Sequence, residues 1–377
     1  MKIVINAFAA RVGGGQTYLK NLLGRLPADP DLSILVFAPH NLALPEDPRV
    51  RRGRTAMPVT NPILRLFWER FQLPREIRKF GADILFCPAG LINARVPADC
   101  RTVTMFRNML PFDEMALAQL EPGLQKMRNR MLKPQMLRSM AEADLTIFIS
   151  DFARARIEQD IIPRQAVTIP HGVNEAFMTA GTDCPRPQET GSRPYVLYVS
   201  RFEPYKHHDE VVRAWAALPA SLRESHSLLL VGENDFEAGR RVRDFIDREG
   251  LADTINIVGP IAYERLPAFY NNAEAILFAS SCENCPNILL ESLGAGVAII
   301  CSDVAPMPEF GGMDLIYFSP YQPDDIAAKL EMVLSDPALA RKLGADAARR
   351  AGDFEWNRTA TATWSAIYAI GERQSAT

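Results

Sequence analysis

Short apolar runs recur along this 377-residue chain, and segments of helical character separate them. Runs of this length predict buried strands, and their alternation with helices predicts α/β domains with parallel sheets. In the first half the predicted strands are 2–8, 33–38, 84–87, 102–106, 145–149 and 166–169, with a helix from about 17 to 26. The chain is too long for one ordinary core and long enough for two.

The stretch 180–194 shows no periodicity and is rich in Pro, Gly, Ser and Thr, which predicts a linker. The pattern then restarts, with strands predicted at 195–200, 227–232, 255–258, 275–278 and 298–301, and helices at 208–217, 239–249, 266–271, 287–293 and 325–334. The boundaries that follow are an N-terminal domain at 1–180 and a C-terminal domain at 181–355. A last helix is predicted from 356 to about 370, because Trp356, Ala360, Trp364 and Ile367 fall at helical spacing.

Charge is divided unevenly, although the net charge is only −3. Residues 1–180 carry +7 and residues 181–377 carry −10, and the segment 49–80 alone carries +7. Within that segment Leu64, Phe67, Trp68 and Phe71 fall on one face of a predicted helix. A basic amphipathic segment favours contact with an anionic membrane surface. The alternative is a core-facing helix with solvated cations.

The chain has no apolar run of the roughly 18 residues that a membrane-spanning helix needs. Its first ten residues fit a buried strand better than a signal peptide, because their apolar stretch is very short. We therefore expect a cytosolic protein that can lie on the inner membrane face through 49–80. No nucleic-acid partner is expected.

The most informative stretch is 280–291, SSCENCPNILLE, which follows a predicted strand. Pro286 suits the first helical position, so a helix is predicted from there to Gly294. The amides of Asn287, Ile288 and Leu289 would then be unpaired donors, able to bind a phosphate or a sugar hydroxyl. Glu283 and Glu291 flank this helix start, where two carboxylates can grip vicinal hydroxyls. The alternative is that Glu283 caps the helix and Glu291 is solvated.

A second stretch, 199–207, also follows a predicted strand and precedes a helix. In open α/β sheets ligands bind at such strand ends. Arg201 and Lys206 are five residues apart across a turn, so both can converge on one diphosphate, the first as a planar fork and the second as a point charge. Two solvated loop cations are the alternative.

Gly13, Gly14 and Gly15 precede a predicted helix and allow the backbone to approach a ligand closely. They do not form G-x-G-x-x-G, and the second strand ends in Pro39-His40 rather than an acid, which disfavours NAD. Cys282 and Cys285 form a lone C-x-x-C. A zinc site would need a second ligand pair, so loop geometry is favoured over metal binding.

Together these residues resemble glycosyltransferase family 4, the retaining enzymes of the GT-B fold. The E-x7-E motif of the family corresponds to Glu283 and Glu291, and its Arg-x4-Lys pair to Arg201 and Lys206. Further matches are the glycine loop Gly13-Gly14-Gly15, the inter-domain motif Pro170-His171-Gly172-Val173 and the Phe-x-Trp motif Phe354-Glu355-Trp356. The resemblance spans nearly the whole chain. It implies two Rossmann-like domains with parallel sheets facing across a cleft, and a final helix, 356–377, that crosses back to the N-terminal domain.

The chain departs from the family pattern at two places. Many members place a His-Asp pair after an N-domain strand, whereas here Arg107 and Asn108 stand there and would have to serve instead. These two residues and His171 are assigned to the acceptor or donor-sugar side. The common Glu-Gly-Phe-Gly loop is here Glu283-Asn284-Cys285-Pro286, a change that could reshape sugar selectivity.

The resemblance implies transfer of a hexosyl group, with retention, from a nucleoside-diphosphate sugar to a saccharide or lipid-linked acceptor in polysaccharide or lipopolysaccharide assembly. The N-terminal domain would bind the acceptor and the C-terminal domain the donor. GDP-mannose is the first candidate donor. The departing phosphate oxygen would take the acceptor proton, so no enzymic base is required.

The resemblance also assigns roles to the site residues. Arg201, Lys206 and the helix amides would meet the charge of the diphosphate without a metal or another cofactor. Glu283 would hold donor-sugar hydroxyls, and Glu291 the ribose. The donor-binding set is completed by Gly14, Gly15, Asn284, Pro286, Asn287 and Ile288.

Three other functions remain open at this point. A glycoside hydrolase also uses two carboxylates but needs no paired cations. A non-catalytic nucleotide-sugar-binding protein would keep the phosphate and ribose contacts and turn nothing over. A sugar-nucleotide 2-epimerase shares the two-domain architecture, and product analysis without an acceptor separates it.

Overall fold

The structure, a computed structural model, describes residues 1–11, 13–178 and 183–375. The chain divides into two compact units. Unit 1 comprises Met1–Phe112, Gly123–Gly172 and the segment from Trp356 onward, and unit 2 comprises Asp113–Pro122 and Val173–Glu355. Each unit is built on its own sheet, as the two series of apolar runs predict.

The strands of unit 1 are β1 (Lys2–Asn6), β2 (Ser33–Phe37), β3 (Val50–Arg52), β4 (Ile84–Cys87), β5 (Arg101–Phe106), β6 (Leu145–Phe148) and β7 (Ala166–Thr168). Those of unit 2 are β8 (Tyr195–Val199), β9 (Ser227–Val231), β10 (Ile255–Gly259), β11 (Ala275–Phe278), β12 (Ala298–Ser302) and β13 (Ile316–Phe318). Every strand pair is parallel, with the orders β3-β2-β1-β4-β5-β6-β7 and β10-β9-β8-β11-β12-β13. Both are Rossmann-type orders. The predicted α/β class with two parallel sheets is confirmed.

The helices in the described residues are α1 (Gly14–Leu23), α2 (Pro62–Phe71), α3 (Leu73–Phe80), α4 (Glu114–Gln119), α5 (Leu124–Glu142), α6 (Asp151–Glu158), α7 (His208–Ala217), α8 (Ala220–Ser225), α9 (Glu237–Arg248), α10 (Leu266–Asn271), α11 (Asn287–Ala295), α12 (Met307–Gly311), α13 (Pro323–Leu334), α14 (Pro337–Ala351) and α15 (Trp356–Ser375). None of the helices in the described ranges has both the length and the hydropathy that crossing a membrane requires.

The sheet of unit 2 reverses its strand order between β8 and β11, which are hydrogen-bonded neighbours. Both strands are buried along their whole length, since helices cover both faces of a parallel sheet. From β8 the chain crosses to β9 on one side of this pair, and from β11 it crosses to β12 on the other side. The loops that follow β8 and β11 therefore flank the switch point, where open α/β sheets bind ligands.

The helix α11 follows the β11 loop and approaches the segment 173–177 very closely. A Cβ atom on Gly294 would lie 2.7 Å from the Phe177 carbonyl oxygen and 2.9 Å from a Val173 methyl carbon. Only glycine permits this separation without a shift of the backbone. The close contact fixes the helix that begins at the switch point.

The last helix, α15, packs against α1 in unit 1. Trp364 Nε1 donates to the carbonyl of Arg25 at 3.0 Å, and the Tyr368 hydroxyl donates to the Asp29 carboxylate at 2.5 Å. The four residues at helical spacing, Trp356, Ala360, Trp364 and Ile367, are all buried. The apolar face of this helix therefore completes the N-terminal unit rather than the unit that precedes it in the chain.

The unit boundaries differ from the predicted division at 180. The chain enters unit 2 at Val173, whose amide donates to the Phe354 carbonyl at 2.7 Å beside the point where the chain leaves that unit. Residues 180–182 of the predicted linker lie outside the described residues. The described part of the linker is largely exposed but contacts unit 2 at two places, where Asn272 Nδ2 donates to Cys184 O and Arg265 pairs with Glu189 at 2.6 Å. Segment Asp113–Pro122, predicted within the N-terminal domain, belongs to unit 2.

Candidate functional site

The β8 loop carries Arg201 and Lys206, and the β11 loop carries Glu283. After β8 the chain forms a 3₁₀ turn at Pro204–Lys206 and then enters the left-handed region at His207, with φ 54°. Left-handed backbone is costly for a side chain with a Cβ, so the surrounding contacts must hold it. The turn directs Lys206 toward the β11 loop, where it meets Glu283.

Lys206 and Glu283 form a buried ion pair, in which Lys206 Nζ donates to Glu283 Oε1. Their side chains are only 10% and 17% exposed. Burial is the largest single influence and lowers the pKa of Lys206, but the charge and hydrogen bond of Glu283, together with Tyr198 and Glu203, outweigh it, so the pKa is raised. The ammonium nitrogen also lies over the rings of Tyr205, at 5.4 Å, and Phe278, at 5.9 Å. The site therefore holds a fixed positive charge at the switch point.

Arg201 lies in the same electrostatic cluster but is held more loosely. Its side chain is 57% exposed and pairs with Glu233 at 2.9 Å and Glu203 at 3.5 Å. Burial raises the pKa of Glu203, whereas both Arg201 and Lys206 act to lower it, so both cations act on one carboxylate. An exposed pair is worth only about 0–1 kcal/mol, so Arg201 can exchange Glu233 for an anionic ligand at little cost.

His207 and Ser281 tie the two loops together. The ring Nε2 of His207 lies 2.8 Å from Ser281 Oγ, and the amide of Ser281 donates to Tyr205 O at 2.9 Å. On its other side His207 Nδ1 lies 3.5 Å from the Glu210 carboxylate. These contacts hold the left-handed residue and fix the spacing between the cation loop and the carboxylate loop. Sequence reasoning missed this role, because nothing local in the chain links residues so far apart.

The helix α11 begins one residue later than the sequence predicts. Pro286 lies at the N-cap, and the helix begins at Asn287 rather than at Pro286. The Asn287 amide donates to Cys285 O at 2.9 Å, so it is not the unpaired donor that was predicted. The first bond of the helix runs from Leu290 N to Pro286 O at 3.0 Å. The amides that precede it, those of Ile288 and Leu289, are the donors available to a ligand.

Glu291 is buried on α11, with 8% of its surface exposed. The Tyr263 hydroxyl donates to Glu291 Oε1 at 2.9 Å. Burial raises the pKa of this carboxyl to about 7, although the hydroxyls of Tyr263 and Tyr270 act to lower it. The alternative reading of Glu291 as solvated is wrong. So is the reading of Glu283 as a cap, since no side chain caps α11 and Glu283 is bonded to Lys206.

Replacing Glu291 with glutamine should stabilise the protein progressively as pH rises from about 5 to about 8. The folded pKa is about 7 and the ordinary value 4.5, so between them the unfolded chain ionises while the folded protein keeps its proton. The folded state then binds more protons, and stability falls with rising pH by up to about 3 kcal/mol. Glutamine cannot ionise and avoids this loss. Denaturant unfolding of both proteins across this range measures the difference.

The exposed carboxyl of Glu264 supplies the control, as Glu264→Gln. A stability difference between Glu291→Gln and the unaltered protein that did not change with pH would contradict the ionisation of a buried Glu291.

Asn284, Cys282 and Cys285 fill the rest of the β11 loop and are buried. Burial raises the pKa of the Cys282 thiol, and the nearby Asp113 carboxylate adds to this effect. Through Asp113 and α4, the inserted segment of unit 2 packs beside this loop and the 3₁₀ turn. Within the described ranges no group of three or more His, Cys, Asp and Glu side chains is placed to hold a metal ion.

A second cluster lies in unit 1 around the glycine loop. Gly13, with φ 65°, precedes α1, and Gly14 and Gly15 form its first turn. A Cβ on Gly15 would lie 3.4 Å from the Arg107 guanidinium. That guanidinium lies over the Tyr18 ring at 5.7 Å, and the His171 ring lies 5.3 Å from Tyr18. The structure thus brings Gly15, Arg107 and His171 together.

Trp356 of α15 stacks on His171 at 5.6 Å and closes this unit 1 cluster. Asn108 is exposed beside Arg107. Tyr18 and Trp356 were not predicted as parts of the cluster, although the Phe-x-Trp motif contained the second of them.

Two protein-family models match the chain. The model described as "Glycosyltransferase Family 4" matches residues 12–177, and the one described as "Glycosyl transferases group 1" matches residues 184–350. The first match covers the sheet of unit 1 except β1, and the second covers the sheet of unit 2 with both the β8 and β11 loops.

Two mannosyltransferases are similar to this chain at about one quarter sequence identity. A serotype-specific mannosyltransferase, WbdA, from Escherichia coli is 25% identical over 276 residues, which are 70% of this chain but only 33% of that protein. The chain thus spans about a third of the length of that relative. A GDP-mannose-dependent alpha-(1-6)-phosphatidylinositol monomannoside mannosyltransferase from Mycobacterium tuberculosis is 26% identical over 338 residues, 81% of each chain.

Among solved structures, a sucrose-phosphate synthase from Thermosynechococcus elongatus has the same fold, with a TM-score of 0.76 at 21% identity over 98% of this chain and 99% of that one. The fold is GT-B. With both family models matched in order along its two units, the chain belongs to the group 1 glycosyltransferases of glycosyltransferase family 4.

Proposed function

We propose that unit 2 binds a nucleoside-diphosphate sugar at its switch point, and that the protein transfers the hexosyl group to a saccharide or lipid-linked glycan with retention at the anomeric carbon. The observation that carries the proposal is the buried Lys206–Glu283 pair, joined by Arg201 in one charge cluster at the ends of β8 and β11. Two cations held where parallel strands end are suited to a diphosphate.

Catalysis would depend on stabilising the charge of the departing diphosphate. Lys206 is a fixed point charge, and Arg201 can leave Glu233 for a phosphate oxygen. The amides of Ile288 and Leu289 add the positive end of the α11 dipole. Preorganised donors of this kind are worth several kcal/mol when aimed at developing charge. They supply countercharge of the kind that a divalent ion can provide, which is why we propose a reaction without a metal.

Glu283 would do two things at once. It keeps Lys206 charged and positioned, and its remaining oxygen can accept hydrogen bonds from hydroxyls of the donor sugar. Glu291, with Tyr263 beside it, would receive the ribose hydroxyls. Asn284 and Pro286 lie between the two carboxylates in the chain and would shape the sugar pocket.

We assign the acceptor side to the cluster of unit 1. The Arg107 guanidinium lies beside Gly15 and over the Tyr18 ring, and the His171 ring also lies near Tyr18. Arg107, with exposed Asn108, would contact the donor sugar or the acceptor in place of the family's histidine. When the bond between the sugar and the diphosphate breaks, the departing phosphate oxygen would take the proton of the acceptor hydroxyl. No base is therefore assigned among these residues.

The favoured donor is GDP-mannose. Both relatives described above are named mannosyltransferases, and one is named as GDP-mannose-dependent. The corresponding process is the assembly of polysaccharide or lipopolysaccharide.

The proposal is tested by incubating the protein with GDP-mannose or UDP-glucose, with and without mannoside acceptors. We expect release of nucleoside diphosphate that depends on the acceptor, and a product with the anomeric configuration of the donor by NMR. A changed sugar nucleotide without an acceptor would indicate an epimerase, and binding without turnover a non-catalytic protein. Either outcome would overturn the proposed transfer.

A further inference from the structure

The helix α2 exposes a row of large apolar side chains. Ile63 is 76% exposed, Phe67 50% and Phe71 53%, and these residues follow at intervals of four. Leu64 and Leu66 flank them and are also exposed. The rings of Phe67 and Phe71 lie 4.6 Å apart, so the row forms one continuous patch. Single exposed apolar residues are ordinary, but a contiguous row on one helix marks an interaction surface.

The opposite face holds α2 firmly in unit 1. Trp68 is buried against Phe37, with ring centroids 4.8 Å apart. Glu69 is also buried and accepts hydrogen bonds from Asn6 at 3.1 Å and Asn93 at 2.7 Å. The predicted grouping of Trp68 with Leu64, Phe67 and Phe71 is therefore wrong for Trp68, which belongs to the core. The other three face outward and cannot turn inward without breaking these contacts.

Basic side chains lie before, within and after the apolar row in the chain. Arg70 lies within it on α2, and exposed cations follow on α3 and precede it near β3: Arg51, Arg54, Arg75, Arg78 and Lys79. The segment 49–80 has two acids, of which Glu69 is buried and Glu76 half-buried. The exposed charge of the segment 49–80 is therefore almost entirely positive.

We propose that α2 and α3 dock unit 1 on the surface of an anionic lipid bilayer. The apolar row of Ile63, Leu64, Leu66, Phe67 and Phe71 would enter the boundary between head groups and acyl chains, while the cations would contact anionic head groups. An apolar row on a surface helix with cations beside it has the chemistry of an interfacial helix. A protein surface would have to match both features, whereas an anionic bilayer supplies both at once. The inference goes beyond the proposed function and does not depend on it.

Flotation with lipid vesicles tests the proposal. One set of vesicles contains phosphatidylcholine alone, and the other contains about one third phosphatidylglycerol. The full-length protein should float with the anionic vesicles at about 0.1 M salt and largely lose this binding at about 1 M, where the Debye length falls to about 3 Å. Each basic residue contributes about fivefold to partitioning.

Two variants separate the apolar and basic contributions. Ile63→Ser/Phe67→Ser/Phe71→Ser should reduce partitioning at least tenfold at both salt levels, and Arg75→Gln/Arg78→Gln/Lys79→Gln should reduce it about a hundredfold at low salt. The matched controls are Ile162→Ser/Met313→Ser, two apolar residues that are exposed elsewhere, and Arg138→Gln, an exposed cation of α5. These should float as the unaltered protein does.

Absence of flotation with anionic vesicles at low salt would overturn the proposal, as would equal flotation of both triple variants and the unaltered protein. If the row instead joined two copies of the chain, light scattering would show a dimer that Phe67→Ser/Phe71→Ser dissociates, and flotation would be absent. Titration with sugar nucleotide reports on unit 2 in the same samples. Failure of the membrane inference is thus distinguishable from failure of the donor-site proposal.

Discussion

Replacing Lys206 by alanine is expected to lower the rate of sugar transfer by about a hundredfold or more. Lys206 is the buried, fixed charge of the cluster, and a preorganised charge that meets the leaving group is worth about 3 kcal/mol in the transition state. The double variant Arg201→Ala/Lys206→Ala should lose still more, since both cations are proposed to act on one diphosphate. Initial rates with saturating donor measure the effect.

The loss of activity must be separated from a loss of stability. Removing Lys206 leaves Glu283 buried without its cation, which can cost several kcal/mol of folding free energy. In Lys206→Ala/Glu283→Gln both charges are gone, so this variant should recover much of the stability and none of the activity. The matched control is Arg241→Ala, which breaks an exposed pair with Asp209 in the same unit. Transfer at the parental rate by the Arg201 and Lys206 double variant would show the donor-site assignment to be wrong.

Glu291→Gln and Glu283→Gln are expected to impair different steps. Glu291 would hold the ribose, so its replacement should weaken binding of free nucleoside diphosphate by about tenfold or more. Glu283 would hold the donor sugar, so its replacement should lower kcat strongly and change the affinity for free nucleoside diphosphate by less than about threefold. The separation of the two residues in the structure supports this division, since Glu291 contacts Tyr263 whereas Glu283 contacts Lys206.

Titration of both variants with free nucleoside diphosphate, together with steady-state kinetics, measures the two effects. An equal loss of nucleotide affinity in both variants would refute the division of roles. Glu264→Gln, an exposed carboxyl near Tyr263 in the chain, serves as the control.

Much of the fold could be predicted because local sequence decides it. The runs that form β4 and β11 are buried on both faces and lie between polar segments, so their apolar pattern marks them directly. The strands β3 and β13 were missed, since each has only three residues and the first reads Val50-Arg51-Arg52. Short edge strands are specified by pairing with a neighbour rather than by their own pattern.

The sequence places the candidate site residues in the loops that follow β8 and β11, but it did not reveal their partners. Glu203 and His207 lie in the same stretch as Arg201 and Lys206, whereas Glu233 and Tyr263 follow β9 and β10, and only the structure shows which of them contact Arg201, Ser281 and Glu291. One signal was identified in the sequence but not used to place the domain boundary. The inter-domain motif at Pro170-His171-Gly172-Val173 marks where the chain enters unit 2, whereas the Pro- and Gly-rich stretch at 180–194 suggested a later boundary. Composition is a weaker guide to a domain boundary than a motif with a structural role.

The face of α2 shows a similar limit. Helical periodicity grouped Trp68 with Phe67 and Phe71. The apolar arc on a helical wheel is broad, so periodicity does not separate residues at its edge from residues at its centre. The core contacts of Trp68 and the buried hydrogen bonds of Glu69 decide which side turns inward. No periodicity could supply that information.

Calorimetric titration with GDP-mannose and UDP-glucose tests the donor site most directly, because it needs no acceptor. The unaltered protein is expected to bind at least one of the two at a single site, and Arg201→Ala/Lys206→Ala is expected to bind it at least about a hundredfold more weakly, with Arg241→Ala unchanged. Equal affinity of the double variant and the unaltered protein for the sugar nucleotide would contradict a donor site at the ends of β8 and β11.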